Sequence, residues 1–203
     1  MFSRKQANLD HPVLTADIAA LIRQKPTVAR KVRMDVLPDI ALSTHVGNTN
    51  LSKLITNKGI VLQYFYTRCN GTCPNTTEKL KQVAKLLGPR LGRDLIILSL
   101  SLDPAQDTLG DLKKYAEQHQ LPSGWFVASS SARDLNTMFR HFNLSAVGKQ
   151  GPGKPITHTT EIFYGSNASG RWRMVDAQFP KPQLMVDLIE MTVDGLSYKR
   201  PKS

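Results

Sequence analysis

Gly59-Ile60-Val61-Leu62-Gln63-Tyr64-Phe65-Tyr66, followed closely by Cys69-Asn70-Gly71-Thr72-Cys73-Pro74, is the stretch that decides how this chain folds. Its first half is aliphatic and aromatic with almost no polar break, the pattern of a central strand buried on both faces. Its second half ends in Pro74, and proline suits the first position of a helix. From Thr76 to Leu87 the apolar residues Leu80, Val83, Ala84 and Leu87 share one helical face, until Gly88-Pro89 stops the run. A strand that runs through two cysteines into a helix is therefore the starting unit. These are the only 2 cysteines in 203 residues, so the whole thiol supply stands at one strand-to-helix junction.

Downstream, the same alternation repeats. Asp94 to Leu102 reads as a second strand and Asp103-Pro104 as a turn. Thr108 to His119 reads as a helix with Leu109, Leu112 and Tyr115 facing inward. Trp125 to Ala128 is a third strand, and Ala132 to Phe142 a third helix. Glu161 to Tyr164 and Arg171 to Val175 form a hairpin around Gly165 to Gly170, and Lys181 to Val193 is a last helix closed by Gly195. Upstream, Asp35 to Ser43 suggests an edge strand or short hairpin around Pro38. Gly47-Asn48 is a turn signal, and Leu51 to Ile55 one helical turn. Thr15 to Pro26 suits a short helix in an arm, with Ile18, Leu21 and Ile22 on one face.

Strand-helix-strand-helix units followed by a hairpin and a helix imply an α/β fold with parallel early strands and antiparallel late ones. That order matches a thioredoxin-like fold with an N-terminal extension. The expected organisation is an arm over residues 1–34, the main domain over 35–197 and a basic tail over 198–203. A hydrophobic fraction of 40% supports an ordinary packed core and argues against a disordered chain. No apolar stretch approaches the ~18 residues of a membrane span, and the polar start from Met1 to Asp10 lacks the apolar centre of a cleaved signal peptide.

Charge is lopsided: 27 Lys and Arg against 16 Asp and Glu, formally +11. Such a surface favours anionic partners, an anionic membrane surface among them. The positive residues are spread out, and no aromatic residues interleave with them as a single-strand groove requires, so no specific nucleic-acid binding is expected.

The cysteine segment stands at a helix N-terminus, where unpaired amides and the dipole favour a thiolate. Arg68, beside Cys69, adds to that effect. Two uses remain open at this point, a small redox-active disulfide loop and a pair of thiolates on one soft metal ion, because both need the thiolate. The three intervening residues, wider than the usual C-x-x-C of reductases, let both sulfurs converge on one ion. A third ligand must then come from the histidines His11, His45, His119, His141 and His158. His119 falls at a helix end, His141 reads as surface, and His11 and His45 come before the first core strand. His158 differs, lying between a Gly/Pro-rich loop and the Glu161 strand, at the cysteine end of such a sheet. Cys69, Cys73 and His158 would form a soft site suited to copper. Met138, Met174 and Met185 read as core filling. Asp103 and Asp107 read as a turn and a helix cap, with Asp103 a candidate neighbour of the site.

Three segments resemble the Sco/SenC copper proteins. Tyr64-Phe65-Tyr66-Thr67-Arg68-Cys69 through Cys73-Pro74 is similar to that family's signature. Ser101-Leu102-Asp103-Pro104 with Asp107-Thr108 is similar to its next segment, and His158-Thr159 with Ile162-Phe163-Tyr164 and Gly170 resembles the segment carrying its histidine ligand. The motifs keep their order and the resemblance covers roughly residues 35 to 195. It implies a thioredoxin fold binding copper, Cu(I) or Cu(II), through Cys69, Cys73 and His158. It implies delivery of copper to the binuclear copper site of cytochrome c oxidase, or reduction of that site's cysteines, on the extracytoplasmic or periplasmic side of a membrane. The partner would be the copper-receiving subunit of the oxidase or another copper protein. Such a chain is a metallochaperone more than an enzyme. The competing expectation is a thiol-disulfide oxidoreductase in which Cys69 attacks and Cys73 resolves.

Overall fold

The computed structural model describes residues 30–32, 36–142, 144, 161–178 and 181–193. Eight strands form one sheet: β1 (Arg30–Val32), β2 (Ala41–Thr44), β3 (Gly47–Asn50), β4 (Gly59–Phe65), β5 (Leu95–Ser101), β6 (Trp125–Ser129), β7 (Glu161–Ser166) and β8 (Arg171–Asp176). Among the described residues five helices accompany them: α1 (Leu51–Leu54), α2 (Cys73–Leu87), α3 (Leu109–Gln118), α4 (Ala132–His141) and α5 (Pro182–Val193), with a 3₁₀ turn at Gly88–Arg90. Strand order is β1-β8-β7-β4-β5-β6-β2-β3.

β4 is the axis of this arrangement. It pairs in parallel with β5, Ile60 opposite Ile96 and Phe65 opposite Ser101, and antiparallel with β7, Ile60 opposite Gly165 and Gln63 opposite Ile162. β7 continues antiparallel into β8. The four strands β5-β4-β7-β8 with α2 and α5 carry the thioredoxin-like core, and the connection from β5 to β7 runs through α3, β6 and α4. All seven residues of β4 and all seven of β5 are buried, as their unbroken apolar runs predict.

Alternation along the strands builds two cores. Ile60, Leu62, Tyr64, Ile96, Leu98, Leu100, Phe163 and Trp172 pack with Leu51 of α1 and with Leu135, Met138 and Phe139 of α4. The opposite set, Val61, Ile97, Ile162, Tyr164 and Val175, packs with Leu80, Val83 and Leu87 of α2 and with Met185, Ile189 and Val193 of α5. Each such buried aliphatic side chain contributes about 1.5–3 kcal/mol. Met138 and Met185 are core residues, and Met174 packs against the first core.

Four local expectations need correcting. The stretch expected to be an arm contributes β1, which pairs with β8 (Arg30 opposite Met174). The turn before β3 is at His45-Val46, and Gly47-Asn48 opens β3 instead, because the Thr44 hydroxyl donates to the Gly47 carbonyl (2.6 Å) and closes the turn one step earlier. Leu109 faces solvent, 44% exposed, since α3 buries the stripe of Leu112, Tyr115 and Ala116. His141 is half-buried with its ring edge-on to Phe142 rather than on the surface. The helix expected between Thr15 and Pro26 lies outside the described residues. Among the described residues no helix is long and apolar enough to cross a membrane.

Candidate metal and redox site

Both cysteines lie beyond the end of β4, where the chain turns into α2. The Cys69 amide donates to the Tyr66 carbonyl (3.1 Å), which closes a four-residue turn with Thr67 and Arg68 at its corners. Cys73 opens α2 and is 4% exposed, whereas Cys69 is half-buried against the first core. The two are joined as a disulfide, with Cα atoms 6.0 Å apart. Pro74 occupies the first turn of α2, as expected. Thr72 stands at the N-cap, but its hydroxyl makes no capping bond. The dipole at this end therefore acts on the cysteine segment without a competing side-chain cap, which favours a thiolate once the disulfide is reduced.

Thr77, one turn along α2 from Cys73, is fully buried and shares a hydrogen bond with the Tyr115 hydroxyl (2.7 Å). The Tyr115 ring lies 4.9 Å from Phe65 and 4.3 Å from His119. Burial raises the pKa of Tyr115 and outweighs the opposing bond from Thr77. This contact ties the start of α2 to α3 and fixes the support on which Cys73 is carried.

A polar cluster braces the other cysteine. The Asp107 side chain is wholly buried. It accepts from the Thr67 amide (3.1 Å), the Thr67 hydroxyl (2.6 Å) and the Ser101 hydroxyl (2.5 Å). Arg68 reaches Asp103 at 3.5 Å and Asp107 at 3.6 Å. Its guanidinium is thus shared between two carboxylates, which weakens the assistance to the Cys69 thiolate expected from the sequence. Asp103 turns the chain as predicted, its carbonyl accepting from the Gln106 and Asp107 amides, and its carboxylate is linked through Arg68 to the turn before Cys69. Asp107 does not cap α3. That position belongs to Thr108, whose reciprocal bonds with Asp111 form a capping box and lower the Asp111 pKa.

Of the five histidines, His45 accepts from the Val127 amide (3.2 Å) in the β2–β3 turn. His119 ends α3 beside Glu78 (3.7 Å). Neither they nor His141 meets the cysteines. His11 and His158 lie outside the described residues. Among the described residues no three His, Cys, Asp or Glu are arranged to hold a metal ion. What sequence reasoning missed was Asp107, and the only available signal was its place in the Asp107-Thr108 motif.

The fold is similar to several solved structures. A putative electron transfer protein from Aquifex aeolicus superposes with a TM-score of 0.67 at 23% identity, covering 79% of this chain and 94% of that one. A SCO1/SenC family lipoprotein from Bacillus anthracis gives 0.69 at 18% identity, covering 80% and 97%. ScoI from Bradyrhizobium japonicum, with copper bound, gives 0.64 at 17% identity, covering 77% and 99%. Identities this low establish the thioredoxin-like fold alone. No curated protein matches the chain. The family model described as SCO1/SenC, however, matches residues 29–193, from β1 to the end of α5, and the chain belongs to the SCO1/SenC family.

Proposed function

We propose that this protein is a copper-binding assembly factor, carrying one copper ion on Cys69, Cys73 and His158 toward a copper-receiving protein. The observation that carries the reading is the convergence of the only two cysteines, 6.0 Å apart at Cα, on a helix N-terminus of a SCO1/SenC chain. Copper is the cargo here, and the donor set fits it: two thiolates and one imidazole suit a soft ion. The pair must be reduced before it can bind. His158 stands three residues before Glu161, the start of β7, and three residues reach at most ~11 Å. Gln63 of β4 is paired with Ile162, so β7 starts at the end of the sheet from which the cysteine turn departs. That topology supports His158 as the third ligand. The solved ScoI of Bradyrhizobium japonicum has copper bound, which adds support.

The recipient in this reading is the binuclear copper site of cytochrome c oxidase, or another copper protein of similar need, and the compartment is extracytoplasmic. The test is an anaerobic titration of the reduced chain with Cu(I) and Cu(II), following stoichiometry and thiolate-to-copper charge transfer. One tight copper per chain is expected, with the Cu(II) band lost in His158→Ala. Unchanged binding in that variant would remove His158 from the site.

A second reading is supported by the disulfide itself. As a thiol-disulfide oxidoreductase, the half-buried Cys69 would attack and the buried Cys73 would resolve the mixed disulfide. Turnover of a disulfide substrate by the reduced protein, without tight copper binding, would favour it.

A further inference from the structure

Three hydrogen-bond donors and one guanidinium converge on a single buried carboxylate, and none of them is needed by the helix that follows it. The capping box of Thr108 and Asp111 already closes α3. Asp107 instead faces the turn that delivers Cys69. Thr67 gives it both its amide and its hydroxyl, and Arg68 lies 3.6 Å away. Those are the two corner residues of the turn closed by the Cys69 amide and the Tyr66 carbonyl. From the neighbouring strand, Ser101 fixes the carboxylate at 2.5 Å and also accepts from the Asp103 amide at 3.0 Å.

We propose that Asp107 is a positioning residue, a latch that pins both corners of the turn and so holds the Cys69 sulfur opposite Cys73. This deepens the reading above in that it assumes the cysteine pair is the working site, but it does not depend on copper. The physical reason is the unequal support of the two cysteines. Cys73 is fixed by the first turn of α2 and by burial. Cys69 follows a loop, and bringing its sulfur to a partner costs conformational entropy unless the loop is already ordered. A turn pinned by hydrogen bonds to a charged acceptor has given up that freedom in advance. The latch therefore favours the disulfide over the open dithiol, and two-sulfur over one-sulfur attachment of an ion.

The reaction that reads the latch is exchange with glutathione. Two glutathione thiols reduce the Cys69–Cys73 bond, two electrons and two protons pass to the protein, and glutathione disulfide leaves. The copper-free full chain is equilibrated in glutathione buffers of varied ratio, and the dithiol fraction is read by alkylation and mass. Thr67→Val removes the hydroxyl donor without changing charge. It is expected to move the equilibrium about tenfold toward the dithiol, roughly 30 mV for two electrons. Thr67→Ser, which keeps the hydroxyl, should stay within about twofold of the natural chain, and Asp107→Asn should shift at least as far as Thr67→Val. Thermal melts confirm that each variant is folded. A folded Thr67→Val with an unshifted equilibrium would overturn the proposal, as would a Thr67→Ser shift as large as that of Thr67→Val. Because no copper is present, failure of the copper reading leaves this result intact, and the reverse also holds.

Discussion

Two serines on β5, Ser99 and Ser101, organise two buried polar groups in opposite ways. Ser99 lies in the middle of β5 and accepts from the Gln63 amide (2.6 Å) and the Trp125 indole (2.9 Å). All three residues are buried, all are neutral, and they tie β4, β5 and β6 to one another. Two positions further on, Ser101 donates to the Asp107 carboxylate, which in turn holds the turn leading to Cys69. The first group is closed on itself and serves the sheet. The second carries charge and reaches from the sheet into the loop where the chemistry stands. Placement makes the difference: Ser101 ends β5, where the strand gives way to the loops that carry the site.

Removing the centre of each group should separate these roles. Asp107→Ala leaves the Thr67 amide, the Thr67 hydroxyl and the Ser101 hydroxyl without their acceptor. We expect a loss of about 3–4 kcal/mol in urea unfolding, together with a shift of the Cys69–Cys73 equilibrium. Ser99→Ala orphans the Gln63 amide and the Trp125 indole and should cost about 2–3 kcal/mol, with the cysteine equilibrium unmoved. Should Ser99→Ala shift that equilibrium as far as Asp107→Ala does, the two groups are not separate and the comparison fails.

The smallest effect belongs to a third polar contact, at the opposite side of the sheet from β8. Burial holds the His45 pKa below its ordinary 6.5, and its ring nitrogen accepts from the Val127 amide. The unfolded chain then binds a proton more readily than the folded one. Stability from His45 is complete above about pH 6.5 and declines as pH falls below it. A modest fall in Tm is expected from pH 7 to pH 5, and His45→Asn, which keeps an acceptor, should flatten that part of the profile. An unchanged profile in His45→Asn would assign the acid sensitivity elsewhere.

Most of the fold could be read from local pattern, because local pattern is what defines it. Ile60 to Tyr66 announces β4 by continuous apolarity, and Leu80, Val83, Ala84 and Leu87 announce α2 by helical spacing. Gly165 to Gly170 marks the last hairpin, where a side chain on Gly165 would collide with the Arg171 carbonyl and the Trp172 ring. β1 could not be read that way. Arg30–Val32 is a strand only because β8 offers it an edge, and three residues carry no periodicity. The cysteines stood out through scarcity and position. Asp107 did not, since an Asp before a Thr at a helix start looks like a cap, and its actual partners Thr67 and Arg68 are far away in sequence. Spacing rules encode neighbours along one element, whereas the latch joins two loops.

β1 also bears on how the chain reaches this state. The Leu37 amide donates to the Asn167 side chain (2.8 Å) across a separation of 130 residues, and β1 waits for β8 in the same way. Residues that leave the ribosome early therefore find their partners only after almost the whole domain has been made. Pairings of such high contact order form slowly. The edge of β8 stays open until they do, exposed to any other strand that meets it first. The strap that completes the sheet is thus a late step, during which this domain presents an unpaired edge.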